Sequence, residues 1–111
     1  MQHARIALYD ITSGSFDEIA NKAEHDLLQV FRAQPGFRAY GLSRVDHTLL
    51  ISISLWATEE QAYAAAETAA RWVDENVADS VKLRATYIGD LAFWSSVTPD
   101  EFVGMQRPIP S

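Results

Sequence analysis

The chain has 111 residues, 48% of them hydrophobic and 22% charged, which bounds it to one ordinary globular domain. Its formal net charge is −6, and its nine basic residues are scattered, which argues against nucleic acid as a partner because phosphate binding needs clustered Lys and Arg. No cysteine is present, so disulfides, thiolate nucleophiles and Cys-ligated metals are excluded.

The opening residues, MQHARIALYDI, carry neither a long apolar core nor a small-residue cleavage site. Residues 49–57 form the longest apolar stretch; it is broken by Ser52 and Ser54 and is too short to span a bilayer. A cytoplasmic protein with no membrane partner is expected.

Residues 4–11 are rich in β-formers and predict a first strand, ended by Thr12, Ser13 and Gly14. Ser15 and Glu18 have the spacing of a capping box, in which each side chain satisfies a free backbone donor at a helix start. The helix runs to about Gln34, with Phe16, Ile19, Ala20, Ala23, Leu27, Val30 and Phe31 on one apolar face. Pro35 and Gly36 stop it. Residues 37–45 predict a second strand, and Asp46 and His47 occupy a tight turn. Residues 48–56 alternate most regularly. Leu49, Ile51, Ile53 and Leu55 lie on one side, and Leu50, Ser52, Ser54 and Trp56 on the other.

Thr58 and Gln61 make a second capping box. The helix after it reaches about Val77 and turns Ala62, Ala65, Ala66, Ala69 and Val73 inward. Such an alanine stripe lets a helix approach a sheet closely but offers little bulk to fill the space between them. Residues 81–93 predict a fourth strand, bent at Gly89.

The order βαββαβ is the ferredoxin-like α+β fold, with an antiparallel four-stranded sheet. Helices on one side leave the other side of the sheet open, and neither side of the third strand is charged. An open apolar sheet face marks an interface, and a two-fold homodimer is the common solution. Residues 1–93 form the domain and 94–111 a C-terminal tail. In the tail, Thr98, Pro99, Asp100 and Glu101 resemble a helix start, and Phe102, Val103, Met105 and Ile109 are apolar enough to dock on the domain or on a partner subunit.

The Pro35-Gly36-Phe37 stop, a hairpin ending in Trp56, and a helix start with Thr58 and Glu60 together resemble the antibiotic biosynthesis monooxygenase family, within the dimeric α/β-barrel superfamily. The resemblance covers about residues 4–93. It implies a homodimer and, as activity, cofactor-independent monooxygenation of a small aromatic or phenolic molecule. A deprotonated phenol donates an electron to oxygen itself, so the protein need supply only an apolar cavity, a base or hydrogen-bond partner, and a cation or dipole to hold the anion. Haem-degrading members of the superfamily use a histidine on the second helix. No His lies between Thr58 and Val81 here, which turns the reading away from haem. The other reading is a non-catalytic module that binds a small ligand or serves oligomerisation.

Three residues are candidates for chemistry. Trp56 either places its indole N–H and ring against a substrate or simply plugs the end of the barrel. Arg84 either stabilises a phenolate or makes an interface ion pair, and Arg38 is equally ambiguous. His47 is the histidine to consider as a general base, against the ordinary fate of a solvated turn residue; His25 and His3 point to solvent and to a terminus. Tyr9, Tyr40, Tyr63 and Tyr87 are candidate substrate contacts or plain core residues, and Tyr63 and Trp72 flank the alanine stripe as possible cavity walls. No spacing of His, Asp and Glu suggests a metal site.

Overall fold

The structure is a computed structural model that describes residues 1–95, so the tail reading from Thr98 to Ile109 lies outside the described residues. The elements are β1 (His3–Ile11), α1 (Phe16–Lys22), a π-helical turn (Ala23–Leu27), α2 (Leu28–Arg32), β2 (Phe37–Asp46), β3 (Leu49–Trp56), α3 (Glu59–Asn76) and β4 (Val81–Asp90). The sheet order is β2-β3-β1-β4, and every pairing is antiparallel. This is the ferredoxin-like α+β fold expected from the element order.

The two capping boxes differ. At α3, Thr58 Oγ1 accepts the Gln61 backbone N–H at 3.2 Å, and Gln61 Oε1 accepts the Thr58 N–H at 3.0 Å. At α1 only half of the box forms: Ser15 Oγ accepts the Glu18 N–H at 3.2 Å. The single helix expected over residues 15–34 also contains the π turn, which shifts its register by one residue without breaking it. Trp72 Nε1 on α3 donates to Asp26 in that turn at 2.9 Å and ties the two helices together.

Gly36 ends the first helix with a φ of +81°, a left-handed conformation that glycine adopts without steric cost. A Cβ there would overlap the Gln61 side chain, and the Gly36 carbonyl accepts the Ala57 N–H at 2.9 Å. The stop of one helix and the start of the next are therefore built on the same few atoms. In the β2–β3 turn, the Asp46 carboxylate accepts the Thr48 hydroxyl and backbone N–H, each at 2.7 Å. These bonds, the hydroxyl first, hold the Asp46 carboxyl below its usual range.

Register fixes the faces. Tyr9 stands opposite Leu50, Ala7 opposite Ser52, and Arg5 opposite Ser54. These residues pack beneath the helices, where Ile19, Ala23, Leu27 and Phe31 meet Ala62, Ala65, Ala69 and Trp72. The other face carries Leu49, Ile51, Ile53 and Leu55 from β3, with Ile6 and Leu8 from β1. Three residues interrupt the regular alternation: Arg38 and Val45 in β2 and Arg84 in β4 are each skipped by the pairing. The fourth strand stops at Asp90, short of the expected residue 93, although Leu91 N–H still donates to the Gln2 carbonyl at 2.8 Å. The first strand starts one residue earlier than expected, because His3 is anchored to Asp90 at 2.8 Å.

Candidate functional site

A groove of about 410 Å3 lies along the helix-covered side of the sheet, between α3 and the edge strand β4. Its helix wall is Ala66, Ala70, Val73 and Asp74; its sheet side is Arg5 and Tyr9 from β1 with Val81, Leu83 and Thr86 from β4. The small alanines create it, because they let the helix run close to the sheet without filling the space toward β4. The volume falls in the range of small-molecule sites.

Arg5 is the unusual member of this lining. It is 2% exposed. Its side chain's only hydrogen bond among the described residues is a long one, from Nη2 to the Tyr9 hydroxyl at 3.4 Å. Nε and Nη1 are buried and have no partner among the described residues. Three other carboxylates are engaged elsewhere: Asp10 with Arg84, Asp90 with His3, and Asp26 with Trp72. Asp74 lines the groove but is exposed at its rim.

Tyr9 also borders a second, much smaller space of about 30 Å3, shared with Tyr40, Ser52, Trp72, Ala69 and the π-turn residues Ala23 and Leu27. Such a space holds about one water molecule, so it is not itself a substrate pocket. Burial, and then the neighbouring Tyr9, push the Tyr40 phenol well above its usual range; Arg5 and a bond to Ser52 act against that shift. Tyr40 is therefore a neutral hydrogen-bonding group at physiological pH. A third recess of about 210 Å3 lies between the first helix and β2, against Phe16, Glu24 and Tyr40.

The residues named from sequence fall into separate places. Trp56 is fully buried, donates its indole N–H to Ser54 Oγ at 2.8 Å, and is held edge-on by Phe31 and Phe37. His47 is exposed in the turn at the opposite end of β3. Arg84 is exposed and ion-paired with Asp10. Tyr63 and Tyr87 are 54% and 62% exposed. Of the candidate ligand contacts, Tyr9 borders both spaces, and Tyr40 and Trp72 line the small one.

Sequence reasoning missed Arg5. A signal was present: in a strand whose alternate positions face the core, Arg5 falls in the same row as Ala7 and Tyr9. No group of three or more His, Asp or Glu converges on a metal-sized site among the described residues. No helix among them is long and apolar enough to cross a membrane.

At the level of sequence no family model and no curated protein matches the chain. Solved structures do. A cofactor-independent oxygenase from Streptomyces nogalater, SnoaB, superposes with a TM-score of 0.62 at 15% identity over 88% of this chain and 96% of that one. A putative antibiotic biosynthesis monooxygenase from Nitrosomonas europaea gives 0.62 at 22% identity, over 86% and 94%. A dimeric ferredoxin-like protein from an uncultured marine organism gives 0.64 at 13% identity, over 87% and 100%. The resemblance to the antibiotic biosynthesis monooxygenase family, first carried by Pro35, Gly36, Phe37 and Trp56, thus holds for the fold of the whole domain.

Proposed function

We propose that this protein is a homodimeric, cofactor-independent monooxygenase acting on a small aromatic or phenolic molecule in the groove between α3 and β4. The observation that carries the reading is the groove itself: about 410 Å3, walled by alanines and valines, with Arg5 and Tyr9, which bond to each other, on its sheet side. The fold shared with a cofactor-independent oxygenase supports it. The reaction needs no external reductant. A ring carbon bearing two hydrogens in its keto form becomes a carbonyl; one atom of O2 enters the carbonyl, and the other leaves as water with the two hydrogens. Four electrons pass from the substrate to O2. The apolar walls take up the ring, and Tyr9 hydrogen-bonds the substrate oxygen.

A dimer through the open sheet face belongs to the same reading. That face presents Leu49, Ile51, Ile53, Ile6 and Tyr87 to a partner of the same sequence. Light scattering should give twice the 12.4 kDa chain mass, and a monomer at micromolar concentration would refute this part.

Oxygen consumption with a panel of polycyclic phenols and quinols tests the activity. Uptake is expected with at least one of them, and it should be lost in Ala70→Leu, which fills the groove from an exposed helix position. No uptake across the panel would leave the second reading, a ligand-binding module without turnover. One observation favours that reading: the carboxylate lining the groove is exposed at the rim rather than buried beside the substrate.

A further inference from the structure

We infer that the groove recognises an aromatic acid: its occupant carries a negatively charged oxygen group, and Arg5 on β1 is the residue that selects it. The inference rests on the groove being a ligand site, and it holds whether or not oxygen chemistry follows.

The starting point is an imbalance. A guanidinium has five N–H donors and stays charged at any physiological pH. Arg5 is 2% exposed, and its one bond, at 3.4 Å, goes to a neutral hydroxyl. A buried cation without a counter-charge is costly, and native proteins pair such groups. The residues opposite Arg5 in the sheet do not remedy this. Ser54 Oγ already accepts the Trp56 indole, and Ile88 is apolar.

Geometry then limits what the missing partner is. Nη2 carries two hydrogens, one on each two-donor edge of the guanidinium. Whichever edge Tyr9 takes, the other keeps both donors, because Nε and Nη1 have no partner among the described residues. Paired donors match a carboxylate or a phenolate better than a single neutral carbonyl. Neither nitrogen is open to water as the side chain sits, so a partner reaches them by a small turn of Arg5 toward the groove that it lines. Among the described lining residues the carboxylate is Asp74, exposed at the rim, so none of them brings negative charge to the inner end. Apart from Thr86, the remaining walls are apolar and suit a ring. The occupant is thus an apolar ring bearing one acidic group, with the acid inward.

The matched probes are 2-naphthoate and 2-naphthamide, which share a ring system and differ in charge. Isothermal titration with the full-length protein should show 2-naphthoate binding about tenfold to a hundredfold more tightly, the range of a charge-assisted hydrogen bond. Arg5→Met should abolish that preference. It should also leave the melting temperature unchanged or raised, since an apolar side chain replaces an unpaired buried charge. In the wild-type protein, 2-naphthoate should shift the Arg5 Nε–H resonance, a readout that needs no variant. Equal affinities for the two probes, no binding of either at millimolar concentration, or a preference that survives Arg5→Met would each overturn the inference. Tight naphthoate binding with no oxygen uptake would leave it standing and remove only the oxygenase reading.

Discussion

The covered side of the sheet is finished in two different ways. Over β2 and β3 it is sealed by aromatic rings: Phe31 meets Tyr40 and Trp56 edge-on at 4.9 and 5.3 Å between centroids, and Phe37 meets Trp56 at 5.6 Å. Over β1 and β4 the helix offers alanines, the space stays open, and a buried arginine lacks a charge partner among the described residues. Trp56, which carries much of the family resemblance, belongs to the sealed half. Chemical potential in a side chain therefore counts for little without space beside it. The aromatic half is positioned to hold the fold, and the alanine half to hold a ligand.

The largest test of that contrast is Trp56→Ala. Removing a fully buried indole should cost about 3–5 kcal/mol in guanidinium unfolding. Naphthoate affinity of the folded protein should stay within a few-fold of wild type. Intact stability with lost binding would mean that the sealed half contacts ligand after all. Next in size is Gly36→Ala. A side chain at a φ of +81° that also displaces Gln61 should cost about 1–3 kcal/mol by the same measurement, since two helix ends share that point.

A third test uses pH at the boundary between the halves. Burial raises the Tyr40 pKa in the folded protein above its unfolded value of about 10. The folded state then holds that proton more tightly, so the contribution to stability is complete below about pH 10 and is lost as pH climbs toward the folded value. The loss from this one group approaches about 1.4 kcal/mol per pH unit within that window. Unfolding curves measured from about pH 9 to 11 should fall more steeply for wild type than for Tyr40→Phe. In absorbance titration, Tyr40 should ionise only well above the usual tyrosine range.

Much of this scaffold was legible in residue order alone. Helix punctuation is local: Thr58 with Gln61, and Pro35 with Gly36, act through atoms a few residues apart, and pattern reading finds them. The β3 alternation likewise separated two faces, but it did not say which one the helices cover, because both are apolar. Register decides that, and register is set by pairing between distant segments. The same limit hid the site. The alanine stripe hinted at open space, yet only the crossing of α3 over β1 and β4 brings Arg5 to it. Arg84 drew attention as an arginine inside a strand; the skipped pairing at that position, invisible in the sequence, sets it apart from the regular alternation.

Arg84 provides the smallest expected effect and the sharpest control. It and Arg5 sit on adjacent strands, two arginines in opposite circumstances. Arg84 is half exposed and already bound to Asp10, so it has a counter-charge and solvent to screen it. Arg84→Ala should therefore change stability by no more than about 1 kcal/mol, in the range of exposed ion pairs. Naphthoate affinity should be unaltered, while Arg5→Met loses it. Thermal melts and titrations on the two variants side by side decide the matter. Should Arg84→Ala abolish binding in a folded protein while Arg5→Met leaves it intact, the ligand would have to sit against the β1–β4 bulge rather than the α3 groove. In that event a paired, solvated cation would outweigh a buried, unpaired one, and the assignment of the open half as the ligand side would fail with it.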